Sequence, residues 1–366
     1  MVIVLYLSIL FFNLLIGVRK KNAKVVLIFS IFLLSLLVSS NQASLDNINY
    51  LFHYNNLKYG VVTSNESEFG FIYLMNLGNI LGLSWAQFKF ICYLFGYTLF
   101  FRAISNILPQ SNKHLIIVIY LTYLYFIDAE QVRNFISLSV FMFGLSMLMT
   151  SFNKKNIFIY LITLLVSISI HNSMIFYSFF PLFFKKSHDK KRIVYLTMTF
   201  SIILSLVTYF NGNQIPFVKE LLSIISDDNA KIERYLEKKT SLGFLLPTSY
   251  AILNIIVLNL ITKYINSTNE KKEIHIKNIN IIYELSLISL VFIPLTMQSV
   301  TFYRLYRNLL PLVYASFAYS VFICKGWKRT ILVIVFFLTV LYWFIFDIGI
   351  KVNEIYLPFF FDNLFT

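Results

Sequence analysis

The fold turns on "NIFIYLITLLVSISIHNSMIFYSFFPLFFKK", residues 156–186, an apolar run interrupted at its centre by His171, Asn172 and Ser173. Two readings compete: one tilted helix over 156–184, or two short arms folded back at His171. At about 1.5 Å per residue, residues 156–170 reach ~22 Å and 172–184 reach ~20 Å. Each falls short of the ~30 Å hydrocarbon core of a bilayer. Lysines stand at both outer ends, at 154–155 and 185–186, and lysine clusters collect on the cytoplasmic side. The preferred reading is a hairpin with both ends inside, turning beneath the outer surface. His171 then lies at the bottom of an outward-open recess, with Asn172 and Ser173 placed to cap the descending helix. A single long helix would move every later loop across and put "NEKKEIHIK" (269–277) outside.

The same logic extends along the chain. It has 366 residues, 58% of them hydrophobic and only 13% charged, a balance that excludes an ordinary soluble domain. The expectation is an all-α, polytopic integral membrane protein forming a single transmembrane domain over 1–366. Twelve crossings are predicted: 1–18, 25–40, 86–105, 114–127, 133–150, 156–170, 172–184, 193–210, 246–265, 279–298, 306–324 and 330–348. Residues 71–83 read as a short re-entrant or interfacial helix within an external loop, 41–85. A second external loop spans 211–245. The first apolar segment lacks a basic start and a small-residue cleavage site, so it reads as retained.

The net charge of +14 invites a nucleic-acid partner, but its placement argues against one. Basic residues sit in short clusters such as "RKKNAK", "KKSHDKKR" and "KGWKR", between apolar runs. With residues 19–24 in the cytoplasm, twenty of the 31 Lys and Arg fall inside, ten outside, and Lys89 within a span. That bias is the positive-inside rule, and it places the recess outside. Cys92 and Cys324 form neither a disulfide framework nor a metal motif. No P-loop, Gly-rich nucleotide loop or zinc spacing occurs, so no cofactor or metal is expected.

Three outward helix starts, at Asn172, near Arg133 and at 302–308, and three arginines, Arg133, Arg304 and Arg307, face one compartment. Asp128 is read first as the cap of the helix that begins near Arg133, and second as a base. The third start is "FYRLYRN" (302–308), with Arg304 and Arg307. Helix N-termini and guanidinium forks both favour phosphate oxygens. The acids gather on the same side, 13 of 17 outside, including Asp46, Glu66, Glu68 and Asp128. Arginines can hold a diphosphate leaving group while a carboxylate or His171 takes a proton from an attacking sugar hydroxyl. Glycosyl transfer from a polyprenyl diphosphate fits that set, and direct displacement would invert the anomeric carbon.

Five stretches then carry a resemblance: "SLDNINY" (44–50), "ESEFGFIYL" (66–74), "EQVRNFISLSV" (130–140), "SISIHNSMIF" (167–176) and "FYRLYRN" (302–308). In order and rough spacing the chain resembles the EpsG family of Wzy-like polysaccharide polymerases. It departs from the pattern at Phe69, where a proline is common, and at Asn134, where a glutamine often follows the arginine. The resemblance implies polymerisation of oligosaccharide repeat units on undecaprenyl diphosphate, at the outer face of the bacterial cytoplasmic membrane. The products would be O-antigen, capsule or exopolysaccharide. It carries function onto Glu68, Arg133, His171 and Arg304.

The combined expectation is a metal-independent, inverting membrane glycosyltransferase. Arg133 and Arg304, with Arg307 in reserve, bind diphosphate; the general base is Glu68 or His171. Asp46, Glu66, Arg234 and Tyr235 are candidate glycan contacts, the last two on a lid candidate within 211–245. The partners are the lipid-linked oligosaccharide, membrane lipids, a flippase and a chain-length regulator. For each residue the plainer alternative is a cap, a packing contact or an interfacial anchor. The rival functions are a flippase or transporter of lipid-linked units, an O-antigen ligase, and an acyltransferase with a cytoplasmic donor site.

Overall fold

The computed structural model describes residues 1–19, 23–41, 45–61, 68–184, 190–217, 220, 242–267, 273–345 and 352–364. Glu66, Arg234, Tyr235 and most of the lid candidate lie outside the described residues. Those described form helices and no strand, apart from one isolated antiparallel bridge between Asn41 and Asn363. The chain divides into two compact units, one of Met1–Ile175 with Val340–Thr366 and one of Phe176–Thr339.

The first unit holds α1 (Val2–Val18), α2 (Lys24–Ser40), α3 (Leu45–Leu57), α4 (Phe69–Ile80), α5 (Trp85–Ile107), α6 (Lys113–Thr122), α7 (Leu124–Glu130), α8 (Val132–Thr150) and α9 (Lys154–Ile170). Local chemistry starts several of them. Ser84 and Gln87 form a reciprocal capping box at α5. Asn112 caps α6 by accepting from the His114 and Leu115 amides at 3.1 Å, and Asn153 caps α9. Within this unit α8 is the central helix, packed between α5 and α9 and buried along most of its length. Gly144 permits the α8–α9 approach, since a Cβ there would fall 3.3 Å from the Tyr160 Cα and much closer to the Thr163 hydroxyl. At the α1–α2–α6 junction, Ala23 N donates to His114 Nε2 at 3.2 Å. His114 Nδ1 therefore carries the proton and donates to Asn13 Oδ1 at 2.7 Å. Asn13 in turn donates to Ser30 Oγ and the Ile9 carbonyl, both at 2.8 Å.

The second unit holds α10 (Lys190–Phe210), α11 (Leu245–Asn266), α12 (Glu273–Ile288), α13 (Ile293–Gln298), α14 (Arg304–Arg307), α15 (Leu310–Ile323) and most of α16 (Trp327–Trp343). Between α12 and α15 the backbone is broken repeatedly, with 3-10 turns at Ser289–Phe292 and Val300–Tyr303. Irregular backbone at membrane depth survives where protein buries it, and Thr296, Gln298, Ser299, Arg307 and Asn308 are all buried here. A last short helix, α17 (Leu357–Phe361), returns to the first unit.

The all-α class stands, while the count of twelve crossings is not confirmed. Among the described residues, five helices are long and apolar enough to cross a membrane: Trp85–Ile107, Val132–Thr150, Arg192–Phe210, Leu245–Asn266 and Ile274–Gln298. The segment expected at 114–127 breaks at Tyr123 into α6 and α7. The loop 41–85 holds two helices, α3 and α4, in place of one. Helix α9 ends at Ile170 because His171 turns extended (φ −150°, ψ 112°), which rules out a continuous helix to 184. Beyond it the chain winds as 3-10 turns, Asn172–Tyr177 and Phe180–Phe183, and not as the second α-helical arm. Pro181 lacks the amide an α-helix would use, and Met174, Tyr177, Phe180 and Phe183 form a buried stripe at three-residue spacing.

Candidate functional site

Glu68 stands at the entry to α4 with its carboxylate 3% exposed. One oxygen, Oε2, pairs with Arg133 Nη1 from the first turn of α8. The other, Oε1, lies 2.8 Å from His171 Nδ1 and 3.4 Å from the Asn172 amide. A carboxylate facing a guanidinium offers only acceptors, so His171 Nδ1 carries the hydrogen and donates it. Nε2 is then the basic position of the neutral ring. Residues 103 positions apart thus form an orienter–imidazole pair.

Gly70 makes the approach feasible. A Cβ at position 70 would fall 2.8 Å from the Ser169 carbonyl carbon and closer still to the Ser169 hydroxyl. The start of α4 consequently lies against the end of α9, beside the break at His171. Gly70 is itself helical, and its role is proximity.

Arg133 is held from a second side. Its Nε donates to Tyr50 Oη at 3.0 Å, and its guanidinium carbon lies 5.0 Å from the Tyr50 ring centre and 5.9 Å from that of Phe71. Burial raises the Tyr50 hydroxyl above its ordinary value while Arg133 pulls it the other way. The phenol keeps its proton at neutral pH and accepts from the guanidinium. His53, on the same helix, is lowered first by burial and then by the Arg133 charge. Arg133 remains 27% and His171 12% exposed, against 3% for Glu68. The arginine and the imidazole are therefore the reachable members, with the carboxylate enclosed between them.

The expected residues distribute unevenly. Glu68, Arg133 and His171 come together. Asp46 is exposed in the first turn of α3, one turn before Tyr50, and its charge acts on that phenol. Asp128 does not cap α8: it lies inside α7, and the residue preceding α8 is Gln131. Its buried carboxylate accepts from Tyr120 Oη at 2.8 Å, and its carbonyl from Tyr93 Oη at 2.6 Å. Arg304 and Arg307 belong to the second unit. Arg304 Nε donates to the Thr301 carbonyl at 3.0 Å, and the fully buried Arg307 donates to Tyr303 Oη at 3.0 Å. Among the described residues, no group of three His, Cys, Asp or Glu stands close enough to share a metal ion.

Tyr50 and Phe71 escaped the sequence reading. The available signal was the four-residue step from Asp46 to Tyr50 in "SLDNINY", which puts both on one helix face. Compared with known proteins, the sequence matches the profile of the EpsG family over residues 24–361. No curated protein and no solved structure matches it.

Proposed function

The chain belongs to the EpsG family of Wzy-like polysaccharide polymerases, and from that premise we propose that it lengthens a bacterial surface polysaccharide from undecaprenyl-diphosphate-linked repeat units. It is an integral membrane protein. We assign the reaction to the outer face of the cytoplasmic membrane, where the charge bias of the loops would set His171.

The observation that carries the reading is Glu68 bridging Arg133 and His171. In the proposed step, His171 Nε2 takes the proton of the acceptor sugar hydroxyl. The oxygen attacks the anomeric carbon of the donor, and the bond to the diphosphate breaks with its electron pair leaving on phosphate. Glu68 holds the ring through Nδ1 and stabilises the imidazolium as it forms. Arg133 receives the charge that develops on the leaving diphosphate. A single displacement inverts the anomeric centre. Arg304, with Arg307 in reserve, is also assigned to phosphate binding, on the chemistry of its guanidinium.

Purified protein incubated with a lipid-linked repeat unit tests the proposal. A product ladder spaced by one repeat, lost in Arg133→Ala and His171→Ala, is the expected result. Lipid-linked units that cross a liposome unchanged would favour the transporter, and a full ladder from Arg133→Ala would remove that residue from the chemistry.

A further inference from the structure

Lys89 is a buried amine that the chemistry above does not use. It lies one turn into α5 and is 2% exposed. A polar group withdrawn from water needs hydrogen-bond partners. Its Nζ donates to the Asn41 carbonyl at 2.5 Å and to Asn47 Oδ1 at 3.1 Å, and stands 5.7 Å from the Trp85 ring centre. Asn47 Oδ1 also accepts from Trp85 Nε1 at 2.8 Å, while Asn47 Nδ2 donates to the Asn41 carbonyl at 3.0 Å. A closed ring of hydrogen bonds therefore joins the end of α2, the first turn of α3 and the start of α5.

That ring continues into the site. Asn47 precedes Tyr50 by three residues, so both lie on one face of α3. Asn47, Tyr50 and Tyr54 are buried, and the two tyrosine rings pack on Trp85 at 6.3 and 5.4 Å. Tyr50 is the residue that accepts from Arg133 Nε. A donor suits the anchor because the Asn41 carbonyl follows the last turn of α2, where carbonyls lack partners within the helix.

We infer that Lys89 is a positioning residue, which acts through Asn47 to hold α3 where Tyr50 meets Arg133. The inference rests on the assignment of Arg133 to diphosphate.

Two measurements on the detergent-purified full chain test it: hydrogen exchange over residues 45–57, and affinity for farnesyl diphosphate. Lys89→Met should speed exchange over 45–57 while leaving residues 132–170 unchanged, and should weaken the probe about tenfold. Lys89→Arg should recover both, and Asn47→Ala should reproduce the loss with Lys89 in place. In a Tyr50→Phe background, Lys89→Met should add less than about twofold, because both act through one hydroxyl. Unchanged exchange over 45–57 in Lys89→Met overturns the inference, as does a loss that adds in full to that of Tyr50→Phe. If Arg133→Ala binds the probe like the parent, the site reading fails, and the exchange result still decides the role of Lys89.

Discussion

A Cβ on Gly70 would stand 2.8 Å from the carbonyl carbon of Ser169, and this proximity brings the Glu68 carboxylate to His171. Gly70→Ala should therefore part the start of α4 from the end of α9. Overpacking of this kind costs about 1–3 kcal/mol. Thermal unfolding should show the loss, and Ser169→Gly in the same chain should recover part of it. An unchanged melting temperature in Gly70→Ala would mean the helices separate freely.

The Glu68–Arg133 pair should separate stability from chemistry. Glu68→Gln leaves a largely buried guanidinium without its carboxylate, a loss of about 3–5 kcal/mol when one partner goes. Glu68→Gln with Arg133→Gln removes both charges and should regain most of the stability. The ladder should stay absent in the double variant. A double variant that polymerises at the parent rate would show the pair to be structural alone.

Tyr50→Phe keeps the ring beneath Arg133 and deletes the acceptor of its Nε. A hydrogen bond to a charged group is worth about 1.5–3 kcal/mol. Tyr50→Leu removes the ring as well and should lose about a further 0.5–1 kcal/mol. Denaturation of the three proteins should rank parent, Phe, Leu; equal stability of Phe and parent would dismiss the hydroxyl contact.

His114 and His171 should behave oppositely. His114→Ala strands Asn13 Oδ1 and the Ala23 amide, at about 1–3 kcal/mol. Its melting temperature should fall while the ladder persists at permissive temperature. His171→Ala should keep its melting temperature nearer the parent's and lose the ladder. The reverse pattern would exchange their roles.

Orientation can be read chemically. Tyr59 is 83% exposed just past α3, on the side assigned to the exterior. A Tyr59→Cys variant in intact cells should react with a membrane-impermeant maleimide, the native Cys92 and Cys324 being buried. Reaction only after the membrane is opened would invert the assigned topology.

Much of the site was legible because its chemistry needs unusual residues in an apolar context. Glu68, Arg133 and His171 stand out there, and the charged loops hint at one side. Tyr50 and Phe71 did not, since 24 tyrosines and 39 phenylalanines hide the few that pack on a cation. Asp128 misled because an acid shortly before a helix mimics a cap, whereas α7 had already enclosed it among tyrosines. Two of the expected crossings lost their continuity because hydropathy does not register breaks such as Tyr123, or the tight winding after His171.

The three-residue stripe of Met174, Tyr177, Phe180 and Phe183 fixes chain length as well as composition. At three residues per turn, inserting one amino acid swings every later side chain by about 120°. Phe180 and Phe183 would leave the interior together, and Phe179 and Leu182 would have to fit sites shaped for them. Length changes within this stretch should accordingly be punished.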